Sequence, residues 1–147
     1  HADLQAEPND VFKAIQIIES LNQNYIIVKG FRKNRNFYDN FFTFGMSLFE
    51  SVLFGTRLEN INSQPNIFCR SLLRKIKNPP KDFSFDLFVL LTAKSLKYRI
   101  FRFNVEFNKR LYGYSKSQRN LKQKLNFIIK TIVFSIKLKI SLVKERI

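Results

Sequence analysis

Tryptophan is absent from this chain, and cysteine, histidine and methionine each occur once. A lone Cys69 cannot form an internal disulfide, and it fits a reducing, cytoplasmic compartment. One His and one Cys also leave too few ligands for a zinc site of the usual kind. Glycine and proline number only 4 each, which argues against disorder and against a turn-rich all-β sandwich. No stretch of about 18 residues is free of charge, so no simple transmembrane helix is expected. Acids are scarce as well: 11 Asp and Glu face 26 Lys and Arg, for a net charge of +15.

What is present is one domain's worth of chain, 147 residues with 45% hydrophobic content and 17 Phe, enough for a packed core. An AT-rich coding sequence would raise Lys, Asn, Ile and Phe by itself, so the position of the charge informs more than its total. Up to Gly30 the acids Asp3, Glu7, Asp10 and Glu19 outnumber the bases Lys13 and Lys29. Beyond Asn108 the bases run from Lys109 to Arg146 against Glu145 alone. Charge concentrated at one end is a surface feature aimed at an anion. The residues between those bases are Ile, Leu, Val and Phe, which favours an anionic membrane surface over nucleic acid.

Hydrophobic patterning predicts alternating α and β elements. Pro8 to Leu21 reads as a helix whose Val11, Ile15, Ile18 and Leu21 form the inward stripe. The β-branched run Tyr25-Ile26-Ile27-Val28, closed by Gly30, reads as a buried strand. Asn36 to Phe54 is long enough for a helix that stops at Gly55, and its Phe residues are expected in the core or against a membrane-facing dock. Asn60 to Asn66 is a polar loop around Pro65. Asp82 to Lys97 reads as a helix with Phe85, Phe88, Val89 and Ala93 inward, and Tyr98 to Phe107 as a strand. The last segment, Leu121 to Ile147, alternates like a strand near Ile136 to Leu142. Its Lys130, Lys137 and Lys144 nevertheless fall on one helical ridge, and its length without a turn favours a helix.

Candidate chemistry begins at His1-Ala2-Asp3-Leu4-Gln5. An acid and an amide two residues apart at a strand end bring two oxygens to one point, which suits a hard divalent cation on a diphosphate. Arg32 follows Gly30 at the end of the predicted strand, where ligands gather in α/β sheets. Arg110 and Lys116 flank Gly113 in a basic loop that suits a phosphate. Asp82 and Asp86, four apart at a helix start, are expected to share a face. A carboxylate there could serve as a base, or Asp82 could cap the helix.

Four segments in order carry a family resemblance: His1 to Gln5 with Pro8; Lys29-Gly30-Phe31-Arg32; Asn62-Ser63-Gln64-Pro65-Asn66-Ile67-Phe68 with Arg70; and Arg110-Leu111-Tyr112-Gly113-Tyr114-Ser115-Lys116. Together they resemble the C-terminal half of a family 2 glycosyltransferase, of the dolichol-phosphate mannose synthase-like and bacterial polysaccharide-building kinds. The resemblance implies an α/β fold: residues 1–118 as an incomplete, Rossmann-like GT-A domain whose N-terminal nucleotide-binding half is missing, then a basic apolar helix over 119–147. It implies inverting transfer from a nucleotide-sugar donor to a polyprenyl-phosphate or saccharide acceptor, in cell-surface polysaccharide or lipid-linked sugar synthesis. The setting it implies is peripheral, at the inner face of the cell membrane.

By the same resemblance Asp3, Gln5 and His1 hold Mn²⁺ or Mg²⁺, with His1 where the family has an Asp. Arg32, Arg110, Gly113 and Lys116 bind donor or acceptor phosphates, Asn62 and Gln64 lie near the sugar, and Asp86 or Asp82 is the base. Arg110 would also neutralise the charge of the leaving diphosphate. Two other classes stay open on the residues alone: an inactive remnant that binds a membrane or partner, and a small basic nucleic-acid-binding protein.

Overall fold

The β-branched run at 26–28 becomes the strand that organises the molecule. In the computed structural model, which describes residues 7–33, 37–82, 84–106 and 121–144, strand β1 spans Ile26–Lys33. Ile26, Ile27 and Val28 are buried, as a strand covered on both faces requires. Gly30 does not close this strand but lies inside it, paired with Phe103. Its N–H donates to the Pro65 carbonyl at 3.0 Å, so the glycine marks a close backbone approach and no turn.

Strand β2 (Asn66–Phe68) pairs antiparallel to β1, and β3 (Arg99–Glu106) runs parallel to it along its whole length. The result is a three-stranded mixed sheet in the order β2-β1-β3. A parallel pair needs a long crossover, and helices supply it. Among the described residues there are five: α1 (Asn9–Leu21), α2 (Phe37–Phe54), α3 (Arg70–Leu73), α4 (Phe85–Ser95) and α5 (Leu121–Lys144). The chain is therefore mixed α/β.

Several expectations are corrected here. Helix α1 turns Asp10 and Ala14 inward, while Val11 and Ile15 are 41% and 36% exposed. It packs on β1 and β2, and the methyl of Ala14 lets a helix backbone approach a sheet more closely than a branched side chain would. Lys13 Nζ lies 2.9 Å from Asp10 Oδ1, whereas Asp10 Oδ2 is buried with no hydrogen-bond partner among the described residues. Asn22 then ends the helix in a left-handed conformation. Helix α4 starts at Phe85, so Asp82 stands before it and does not share a helical face with Asp86. Phe85 is 41% exposed and outside the core. The expected loop over 60–66 gives way to β2 at Asn66, and α3 adds one turn after it.

Helix α2 ends at Gly55 (φ 65°), as the glycine predicts. Helix α4 is the centre of the apolar packing. Val89 and Ala93 join Ile27, Leu72 and Tyr98 in one cluster, whereas Leu87, Phe88 and Leu90 join Leu58, Ile61 and Leu138 in a second, against which Ile100 of β3 also packs. Each fully buried leucine such as Leu58 or Leu72 contributes about 2 kcal/mol of transfer free energy.

Through Leu138 and Leu142, α5 closes that second cluster. It also meets α2: Ser135 Oγ donates to Glu50 Oε1 at 3.0 Å, and Lys124 and Lys139 stand over the rings of Phe42 and Phe54. The boundary expected near residue 118 lies outside the described residues. Among the described residues, no helix is long and apolar enough to cross a membrane.

Candidate functional site

Lys29 is the residue around which the polar side chains gather. It is 2% exposed and shares its strand face with Ile27, with Asn66 of β2 and Arg102 of β3 abreast of it in register. Its Nζ donates to Asn66 Oδ1 at 2.6 Å and to the Ser63 carbonyl at 3.1 Å. Burial lowers the amine to about 8, and Arg102 and Arg32 push it the same way, while Asp86 opposes them.

Asp86 supplies that opposition from the first turn of α4. Its Oδ1 accepts from Asn66 Nδ2 at 3.3 Å and its Oδ2 from Gln64 Nε2 at 3.4 Å. Burial raises its carboxyl above its ordinary value, and Lys29 and Arg32 hold it back. A carboxylate made more basic by desolvation and kept in place by two amides is chemically suited to accept a proton or to orient a neighbouring cation.

The loop before β2 is strapped along the second half of β1. Arg32 Nη2 donates to the Asn62 carbonyl. Ser63 Oγ lies 2.5 Å from the Gly30 carbonyl and 2.7 Å from that of Asn60, and its one proton serves one of them at a time. A Cβ on Gly30 would stand 2.2 Å from the Gln64 carbonyl oxygen, so the strap needs glycine here. The Gln64–Pro65 peptide is cis.

A cleft of about 730 Å³ opens beside this strap, at the C-terminal end of β1. Arg32, Lys33 and Arg57 line one side, with Glu59 paired to Arg57 at 2.6 Å. Phe44 and Leu48 of α2 line the other. Those two residues belong to a longer outward stripe, Phe37, Phe41, Phe44, Leu48 and Val52, all at least half exposed. Asn40, Thr43, Ser47 and Ser51 of α2 line that side of the cleft as well, so it sets cations against a mixed apolar and polar side.

The structure brings together four of the residues nominated by sequence. Arg32 meets Asn62, and Gln64 meets Asp86. Asn62 takes part through its carbonyl. Asp82 stays apart: its Oδ1 accepts from the Ser84 N–H and hydroxyl at 2.9 and 2.6 Å, which lowers its carboxyl below the ordinary value. That geometry is a local turn ahead of the helix, whose N-cap is Ser84 and not Asp82. His1, Asp3, Gln5, Arg110, Gly113 and Lys116 lie outside the described residues. Within the described residues no three of His, Cys, Asp and Glu converge as a metal site.

Sequence reasoning gave no role to Lys29, Asn66, Ser63 or Arg57. One of these was readable. A lysine that continues the apolar run Ile26-Ile27-Val28 falls on the same strand face as Ile27, where only a paired charge is tolerated. No family model, no curated protein and no solved structure matches this chain.

Proposed function

We propose that this chain forms the sugar and acceptor side of an inverting family 2 glycosyltransferase, the C-terminal half of a GT-A domain, which passes a sugar from a nucleotide-sugar donor to a polyprenyl phosphate. One observation carries the choice of acceptor: the cleft pairs Arg32, Lys33 and Arg57 on one wall with Phe44 and Leu48 on the other. A lipid phosphate would use the cations together with the exposed Phe44 and Leu48. The position of the cleft at the carboxyl end of a parallel strand, and the meeting of Arg32, Asn62, Gln64 and Asp86, both support the reading.

In this proposal Arg32 holds the acceptor phosphate, with its guanidinium aimed by the Asn62 carbonyl. Asp86 fixes Gln64 and Asn66 and balances Lys29. A phosphate acceptor is already ionised, so the transfer asks no proton abstraction of Asp86. Arg110, Gly113 and Lys116 would complete the phosphate site by resemblance. A divalent metal, Mn²⁺ or Mg²⁺, would neutralise the leaving diphosphate at Asp3, Gln5 and His1. These ligands lie outside the described residues, and no step here is routed through the ion.

The test is sugar transfer by the protein expressed from its whole reading frame, with Mn²⁺ or Mg²⁺, a panel of nucleotide sugars, and farnesyl phosphate or a saccharide as acceptor. Transfer to farnesyl phosphate is expected, and Arg32→Ala should lower its kcat/KM roughly 100-fold, the loss of a charge-assisted contact. Asp86→Asn should weaken that transfer by less than Arg32→Ala does. Transfer to saccharide alone, abolished by Asp86→Asn, would make Asp86 a general base and overturn the lipid-phosphate reading. Absence of any transfer and of nucleotide-sugar binding would remove the glycosyltransferase assignment.

A further inference from the structure

We infer that the outward face of α5 docks the protein onto an anionic lipid surface, with the helix lying in the plane of the headgroups. The argument starts from an inversion in how this helix packs. At about 100° per residue, Leu125, Ile129, Val133, Ile136, Ile140 and Val143 make one continuous stripe, and they are 40–57% exposed. The side that faces the protein carries Thr131, Ser135 and Leu138, all buried. A helix stabilised only by its own domain turns its widest apolar stripe inward. Here Thr131 and Ser135 go inward beside Leu138 and Leu142, and the longer aliphatic stripe goes out.

Charge says what the stripe is for. Lys130, Lys137 and Lys144, seven apart and exposed, run along one border of the stripe. Lys139 stands on the other border, over the Phe54 ring. From Leu121 to Lys144 the helix has no Asp or Glu. Cations that flank an apolar stripe match a bilayer surface, where anionic headgroups lie directly above hydrocarbon. Nucleic acid would engage the lysines but leave six aliphatic side chains in water. Because α5 is not apolar enough to cross a membrane, it lies on the surface. Its 24 residues would cover about 36 Å of that surface. This docking does not rest on the glycosyltransferase reading, and its test reads binding and not transfer.

The full chain would be sedimented with phosphatidylcholine vesicles that contain or lack phosphatidylglycerol. Binding to the anionic vesicles is expected, weakening as salt is raised. Replacing Lys130, Lys137 and Lys144 by Gln should cut the partition coefficient roughly 100-fold, about fivefold per lysine. The triple change Ile129→Ser, Ile136→Ser and Ile140→Ser should abolish binding. Since the chain has no Trp, Ile136→Trp gives a single reporter whose emission should shift to the blue on anionic vesicles. Equal binding to both vesicle types, or an unshifted Ile136→Trp emission, would overturn the proposal. So would a stable dimer that hides this face, or tight DNA binding unaffected by the three serines.

Discussion

Alanine at Gly30 is expected to destabilise the protein by about 3–5 kcal/mol, a large share of the stability of an ordinary domain. The new Cβ would meet the Gln64 oxygen at 2.2 Å, the Gln64 carbon at 2.8 Å and Val105 Cγ2 at 3.1 Å. Two of these atoms are backbone, so no side chain can swing away. Relief requires the 60–66 segment to lift off β1. That would break the Gly30–Pro65 bond at 3.0 Å, the Ser63 contact with the Gly30 carbonyl, and the hold of Asn62 on Arg32. Each such bond contributes about 1 kcal/mol net. Urea unfolding would show the loss as a lower midpoint. Gly45 provides the matched control: it lies within α2, where a Cβ would meet nothing within 4 Å. Gly45→Ala should stabilise by about 0.5–1 kcal/mol. If both variants raised the midpoint, the loop could not lie against β1 as described.

The second large effect is a dependence of stability on pH that comes from Glu50. This residue is 5% exposed between α2 and α5, and burial pushes its carboxyl up to about 7 from an ordinary 4.5, with the Ser135 hydrogen bond opposing. Between those two values the folded protein holds a proton that the unfolded chain has released. Stability from this group is therefore full below pH 4.5 and declines as pH rises through about 7. Completed, the decline amounts to roughly 3 kcal/mol.

Glutamine keeps the Ser135 bond and cannot ionise, so Glu50→Gln should match the native protein near pH 4.5. At pH values above about 7 it should melt roughly 10 °C higher. Taking the difference between the two proteins across the range removes the contributions of Asp86, also raised, and of Lys29, whose window begins near 8. Identical pH profiles would show that Glu50 is ionised in the fold at neutral pH.

The elements that could be read from sequence are those whose cause is local. The β-branched run at 26–28, the glycine after Phe54 and the lysine ridge of α5 all place themselves through their nearest neighbours in the chain. Other features depend on a partner far along the sequence. Gly30 reads as a strand end until Gln64 is known to press on it. Strand β2 has three residues, too few for any period to show. The inward side of α1 does not follow its strongest apolar stripe, because packing on β1 and β2 takes the side with the small Ala14, and α5 shows the same inversion. In the candidate site, Arg32, Gln64 and Asp86 could be nominated by residue type and position. The coupling of Lys29 to Asp86 through Asn66 exists only once three separate segments meet.

The pairing of β1 with β3 also governs when this protein can fold. Ile26 must wait for Arg99, and Lys33 for Glu106, before the central strand has its parallel neighbour. That is a delay of roughly 70 residues, which at about 5–20 residues per second of synthesis lasts several seconds. Throughout that interval Ile26, Ile27 and Val28 are an apolar β-prone segment with no finished sheet to enter. The emerging chain is thus most exposed to misassociation on the ribosome, before α4 and β3 have left the exit tunnel.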